Sequence, residues 1–529
     1  MHRTIHLTFC SLLVLVACCF SQTTSALQPS QNQGIQRIRQ VSPRSAEEYA
    51  AIIAKEVQLI SKNYHFSEIP EYALAGRALL GLYRAGSLIP PEELTRDADH
   101  FLEHRPGASL QEKLKLARLA AGDVPLIQGQ QGIHASMQAI FQSLDVFSNY
   151  SKEDVSIRQI YEHGAGIGLF LEDKPLGGSY FVRNVTIHSQ AHKQGIRPGD
   201  ELLELDGTVI SPQTSTSMLN AQITLGARRR QGISIKLKPI QDEIKQVKIT
   251  ATQPAQFENS DFIALAPGFD RETLIQGYRP LEDNEWDYWV DRQRRIALIR
   301  LGTILDMPNA LQDIIVQLKE DGLKGLILDL RDCPSGVPEY SADLAGLFLE
   351  RNALITSMHY RNPSNDDLNR SSKKEYRSRN EDNRLQDMPL AVLVGPDTSG
   401  AAEMIAAALQ DHERATIVGQ RSRGKSTIQQ NNREQRNPYN IYYSYRLTVG
   451  VFMRPSGKNL HRMPGASAND DWGVRPDVEV VLPAKMNRQV RAWWFEQDTR
   501  PVDSLQPTRL DDLRNDPVLH AAIQVLSSK

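Results

Sequence analysis

Residues 389–430 read PLAVLVGPDTSGAAEMIAAALQDHERATIVGQRSRGKSTIQQ. The stretch opens on a short apolar run, LAVLV, closed by Gly395, Pro396 and Asp397. An alanine-rich segment with apolar residues at helical spacing follows, and then a second apolar run, ATIVG. Short apolar runs bounded by turn residues read as buried strands, and the segment between them reads as a helix. Strand, helix, strand is the repeating unit of an α/β layer architecture.

The alternation extends upstream. RIALIRL (295–301), KGLILDL (324–330) and ALITSMHY (353–360) read as further strands, with NALQDIIVQLKE (309–320) and YSADLAGLFLE (340–350) as helices. A dense mixed-charge segment, 364–388, interrupts the pattern and is expected to be a solvated surface loop.

The end of the opening stretch poses a chemical question. Gly419, Gly424, Lys425 and Ser426 satisfy G-x-x-x-x-G-K-[ST], a loop that cradles phosphates in nucleotide hydrolases. Such a loop must follow a strand and open a helix whose N-terminus faces the phosphates. The strand is there, but STIQQNNREQRNPYN after it has no apolar stripe and soon meets Pro438. The apolar strand that ends in aspartate, LILDL, also lies upstream rather than downstream. No nucleotide partner is expected, and Lys425 calls for another role.

The chain of 529 residues is long enough for several domains. Its 61 basic and 63 acidic residues nearly cancel, so nothing in the balance advertises nucleic acid or an anionic membrane. Residues 1–26 open with His2 and Arg3, run through FCSLLVLVACCF and end in small residues, the pattern of a secretory signal peptide. Cleavage after Ala26 is expected; LVAC (15–18) also fits a lipoprotein box that would leave a lipid anchor on Cys18. Either route exports the protein to the periplasm, the cell envelope or the medium. Cleavage after Ala26 removes Cys10, Cys18 and Cys19, leaves Cys333 alone and so excludes an internal disulfide.

Between these ends, residues 27–44 read as a polar linker and 45–157 as a helical domain, opened by a cap-like Ser45 with Glu48 behind it. From 158 to 252 the texture changes to short alternating β-runs. The α/β core follows over 253–485, and 486–529, with the Trp493–Trp494 pair, reads as a peripheral appendage held by packing. Within the β-rich stretch, Gly166-Ile167-Gly168-Leu169 starts a strand and AHKQGIRPGDELLELDGTVI comes about thirty residues later. Glycines before an edge strand let backbone N–H groups converge on a terminal carboxylate while the strand edge pairs with the rest of a peptide. Together the two motifs resemble a PDZ domain, whose carboxylate loop would be Gly166, Ile167, Gly168 and Leu169; the alternative is that these glycines serve only turn geometry.

The order of motifs is more informative than any one of them. SLDVFSNYSKED precedes the PDZ-like stretch; KGLILDLRDCPSG, the opening stretch, RPSGKNLHR and WGVRPDVEV follow it. This order, over about residues 140–482, resembles the carboxy-terminal processing, or tail-specific, serine peptidases. The resemblance implies a multidomain α/β protein: a helical N-terminal region, a PDZ β-domain and a crotonase/Clp-protease-like core. It implies hydrolysis of unfolded or C-terminally exposed polypeptides without metal or cofactor. In that family a serine at a helix start attacks the scissile carbonyl, and a lysine accepts its proton. Lys425 matches that base, Gln429 the glutamine that orients it, and Asp411 an aspartate near the site. Ser335 and Gly336 of the RDCPSG turn, with Ala401, match the oxyanion hole. A lysine works as a base only if burial lowers its pKa enough to populate the neutral amine.

The nucleophile position departs from the pattern. The family reads S-A-S-A-S-E, the middle serine attacking; here the segment is T-S-G-A-A-E, and three residues before Glu403 stands Gly400. Ser399 lies one residue earlier, about 100° around a helix. It is either the cap of the helix that follows or a shifted nucleophile, if the glycine remodels the turn. Cys333 is a further conceivable nucleophile, but it would need its own base. Two readings stand: a Ser/Lys endopeptidase, or a catalytically silent relative that binds peptide termini.

Overall fold

The structure, a computed structural model, describes residues 39–151, 167–172, 178–185, 189–214, 216–227, 231–240, 243–250, 275–281, 285–304, 308–334, 336–361, 372–379, 385, 387–434, 443–499 and 515–528. The expected signal segment with Cys18, most of the 27–44 linker, Gly166 and Ser335 lie outside them.

The helical region carries α1 (Pro43–Asn63), α2 (Glu71–Ala85), α3 (Leu110–Ala121) and α4 (Gln130–Gln142). The first helix starts two residues before the expected cap. Ser42, not Ser45, is the N-cap, its hydroxyl accepting Ser45 N at 3.0 Å, with Pro43 at the first helical position where no N–H is needed. Ile53, Leu79, Leu82 and Ile140 pack the bundle, and Tyr443, Tyr445 and Leu447 complete the same core. The helical region is therefore built onto the α/β core rather than beside it. It ends in β1 (Asn149–Ser151).

The β-rich stretch forms an antiparallel sheet of β2 (Leu169–Leu171), β3 (Tyr180–Val185), β4 (Glu201–Leu205), β5 (Ile233–Lys238) and β6 (Lys245–Ile249) in that order, with α5 (Thr216–Ala227) before β5. Among the described residues, strand β2 is an edge of this sheet. Val182, Leu202, Ile235 and Leu237 alternate inward along their strands to give it a separate core.

In the core, β7 (Ile296–Leu301), β8 (Gly325–Asp329), β11 (Leu390–Val394), β12 (Thr416–Gly419) and β15 (Val478–Glu479) pair in parallel in that order. Helices α6 (Pro308–Glu320), α7 (Pro338–Gly346) and α8 (Ala401–Asp411) cover one face; α9 (Ala484–Thr499) and α10 (Pro517–Ser527) cover the other. Alternate residues of a strand point to opposite faces, so Leu326 and Leu328 join one core while Ile327 joins the other. Both sides of each strand are buried, which is why these segments are apolar throughout. The C-terminal segment is thus no peripheral appendage: Leu519 and Ile523 of α10 are core residues, and without them the sheet would expose a face. The Trp493–Trp494 pair does pack, edge to face at 4.9 Å, with Trp494 Nε1 donating to Asp516 at 2.8 Å.

A second, antiparallel sheet holds β9 (Leu354–Tyr360), β10 (Lys373–Arg377), β13 (Thr427–Glu434) and β14 (Tyr443–Met453), with β1 on the far side of β14. The run ALITSMHY belongs here and not to the parallel layer. The mixed-charge segment also contains a strand, β10, whose charged side chains face water on an edge.

Candidate active site

The turn between β11 and α8 is the frame of the site. Thr398 Oγ1 donates to Leu330 O at 2.8 Å and accepts Gly395 N at 2.9 Å. Ser399 N donates to Cys333 O at 3.1 Å, and Arg423 N to Thr398 O at 3.0 Å. These bonds tie the turn to the RDCPSG loop on one side and to the lysine loop on the other.

Gly400 is the pivot. It is the N-cap of α8 and has φ +61° and ψ −114°. L-residues rarely adopt that conformation, and it produces the sharp strand-to-helix turn on which a nucleophile is lifted above a sheet. A Cβ built on Gly400 would meet no atom within 4 Å. The backbone thus presents its turn residue to open space, and the residue presented has no side chain. Ser399 is 2% exposed, and its hydroxyl makes no hydrogen bond among the described residues, either to Lys425 or to a helix amide. The expected cap role is therefore not taken. Glu403 does that work from inside the helix, accepting Gly400 N at 3.0 Å.

Glu403 does more than cap. Fully buried, it also accepts Ser422 Oγ at 2.5 Å, Gly424 N at 2.7 Å and Lys425 N at 2.8 Å. Burial pushes its carboxyl up, and these donors pull it back. Gly400 N and Lys425 N share one oxygen, Oε2, so this carboxylate fixes the lysine loop against the helix start.

The Lys425 amine is held by no hydrogen bond or ion pair among the described residues. It stands 5.4 Å from the centre of the Phe147 ring. Burial, helped by Arg446, lowers its pKa to about 8, against the opposing pull of Glu403 and Asp145. Phe147 comes from SLDVFSNY, which is pinned over the site: Asp145 accepts Phe147 N at 2.8 Å, Ser148 Oγ at 2.6 Å and Thr448 Oγ1 at 3.1 Å. His461 packs on the other edge of Phe147, 5.7 Å between rings, and burial lowers its pKa to about 4.

Two backbone amides lie beside Gly400 with no acceptor among the described residues: Ala401 N, at the first position of α8, and Gly336 N. Gly336 is pressed against that helix start, since a Cβ there would lie 2.8 Å from Ala401 Cβ and 2.6 Å from Ile304 Cβ. Donors of this kind, at a helix N-terminus, suit an oxygen carrying negative charge.

Other expected residues stand apart. Gln429 donates to Thr448 Oγ1 at 3.3 Å and makes no hydrogen bond to Lys425, so it reaches the site only through the Asp145 network. Asp411 is at the far end of α8, roughly 15 Å along the axis, where it chelates Arg454 at 3.0 Å. Cys333 is wholly buried in the core and offers no thiol to a substrate. Lys425 leads into a strand, β13, and not a helix, which disposes of the phosphate-loop reading. Ile167 and Gly168 form the turn into β2, with Gly168 at φ +74° and Ile167 O accepting Ala191 N at 2.9 Å.

Residues 295–480 match Peptidase family S41. Over that core the chain is similar to the carboxy-terminal processing serine peptidases. It is 25% identical over 359 residues to the carboxy-terminal processing protease CtpA of Bacillus subtilis, covering 66% of this chain and 64% of that one. It is 29% identical over 367 residues to the carboxy-terminal-processing protease of Bartonella bacilliformis, covering 68% and 72%. The structure resembles that of a photosystem II D1 C-terminal processing protease at 17% identity and a TM-score of 0.46, over 83% of this chain and 94% of that one. Within the matched core, spacing placed Lys425 and Gly400 in the site. Asp145 and Phe147 lay inside the quoted motif SLDVFSNYSKED without being assigned to the site, Thr448 had no sequence signal, and Glu403 stood out only as an anchor for counting.

Proposed function

We propose that this protein is an exported, peptidase-fold receptor for polypeptide C-termini that does not hydrolyse them by the Ser/Lys route. Gly400 carries the proposal: the turn, the base and the oxyanion amides are arranged around a residue with no hydroxyl. The β-domain would supply the primary docking site, with Ile167–Leu169 and the open edge of β2 taking the terminal residues by strand addition. None of the described helices is long and apolar enough to cross a membrane, and the signal-like N-terminus supports export.

A second reading has its own support. Ser399 is adjacent, its hydroxyl has no hydrogen-bond partner among the described residues, and burial lowers the Lys425 amine enough to act as a base near neutrality. A rearranged turn would then make the chain an endopeptidase, like its named relatives.

One experiment separates them. The purified chain is incubated with an unstructured reporter protein, and products are read by mass spectrometry. We expect no cleavage from the unaltered protein and measurable cleavage from Gly400→Ser. Cleavage by the unaltered protein that Ser399→Ala abolishes would establish the second reading instead.

A further inference from the structure

We infer that the site around Gly400 is itself a carboxylate-binding site, taking the free C-terminal carboxylate of a polypeptide between the Lys425 amine and the amides of Gly336 and Ala401. The inference rests on the silent reading above and goes beyond it, because it assigns a ligand to the core as well as to the β-domain.

Four observations point to an anion. The α8 N-terminus presents Ala401 N with no acceptor, and Gly336 N beside it also lacks one among the described residues. The Lys425 amine has an aromatic face near it but no anion bonded to it among the described residues. Around Gly400 there is room, since nothing lies within 4 Å of where its Cβ would be. Two further buried polar atoms on neighbouring segments lack hydrogen-bond partners among the described residues. Thr427 Oγ1 lies two residues beyond Lys425, and that residue is 5% exposed. His461 Nδ1 belongs to the ring packed on Phe147, and that residue is 6% exposed.

In a working peptidase the two amides would hold the oxygen of a carbonyl under attack. Without a hydroxyl at Gly400 that residue makes no attack, and the amides and the amine are left as donors of the kind a carboxylate takes. A carboxylate exceeds an amide carbonyl as a ligand for these donors, because charge-assisted bonds are about twice as strong as neutral ones. The carboxylate would also give the Lys425 amine a directly bonded anion, which neither Glu403 nor Asp145 provides among the described residues. Binding should therefore draw a proton onto Lys425 and tighten as the pH falls through about 8. The charged groups facing that amine are Glu403 on α8, Arg423 on its own loop, Arg446 on β14 and Asp145 after α4. His461, from the loop after β14, stays neutral over this range.

The test uses the full chain and one hexapeptide made in two forms, with a free C-terminal carboxylate and with a C-terminal amide. Binding is followed by calorimetry from pH 6.5 to 9.5. The free acid should occupy a site that Lys425→Ala weakens about ten- to a hundredfold. The amide should not occupy it. Lys425→Arg, which keeps the cation but cannot lose its proton, should retain binding and lose the pH dependence near 8. Equal Lys425-dependent binding of acid and amide would overturn the carboxylate assignment, as would binding of the acid that ignores Lys425→Ala. Hydrolysis is watched separately in the same samples by mass spectrometry. Cleaved peptide would mark the failure of the silent reading, whereas intact peptide bound without regard to Lys425 would mark the failure of this one.

Discussion

At the scale of single residues, the site is a set of groups held in costly states. Lys425 is the clearest. Its amine titrates near 8 in the folded chain and near 10.5 when unfolded. The unfolded state therefore binds more protons between those values, and stability rises with pH across that window. Below about 8 the lysine is a burden, on the order of 1–3 kcal/mol once its partial exposure is allowed for. Lys425→Met should raise the melting temperature at pH 7, and the gain should shrink at pH 10. An equal gain at both values would mean that the amine is not desolvated. Gly400→Ser should move the other way, costing the α/β core about 1–2 kcal/mol because a side chain is carried at positive φ, read as a shift of the core's transition in a denaturant titration. At Gly336 the constraint is space: its missing Cβ would collide with Ile304 and Ala401. Gly336→Ala should destabilise by about 1–3 kcal/mol.

At the scale of elements, Glu403 shows what a sequence hides. The strand, turn, helix, strand order of residues 389–430 was legible, because apolar runs and helical spacing are local signals. So was the position of Gly400, by counting from Glu403 to Lys425. What could not be read is that this glutamate, a core-facing residue on an alanine-rich helix, accepts bonds from three backbone amides and a hydroxyl on two segments. No spacing rule links positions 403 and 422–425. The expected cap, Ser399, lost to that carboxylate, which reaches Gly400 N from within the first turn. Gln429 was displaced for a similar reason: pairing of β13 with β14 sets it opposite Thr448, and a bulge at Ile428/Gln429 resets its register. Glu403→Gln keeps the shape and removes the charge. It should loosen the lysine loop, seen as faster amide exchange at 424 and 425, more than it lowers global stability.

At the scale of the whole molecule, one carboxylate joins the separate parts. Asp397, just before the turn, pairs with Arg183 of β3 at 3.3 Å and with Arg423 of the lysine loop at 2.9 Å. It also pairs with Arg491 of α9, which in turn reaches Glu172 beyond β2 at 2.8 Å and Asp332 at 3.5 Å. Burial works to raise the Asp397 carboxyl, but the three guanidinium groups outweigh it and hold the pKa below the usual value. The composition of 486–529 suggested a peripheral appendage. Yet α9 puts Phe495 into the core of the β-domain and Trp494 into that of the α/β layer. The β-domain is thereby locked to the same turn that presents Gly400. Removing one member of a buried charge network leaves the others uncompensated and costs about 3–5 kcal/mol. Arg491→Ala should therefore raise hydrogen exchange in three places at once: β2–β3, the 395–400 turn and the 420–426 loop. Arg491→Lys, which keeps the charge but not the fork of donors, should give an intermediate response. Exchange that rises in α9 alone would mean the helix is only packed between the two bodies. A concerted rise would show that peptide docking on the β-domain and the geometry at Gly400 are held by one set of ion pairs.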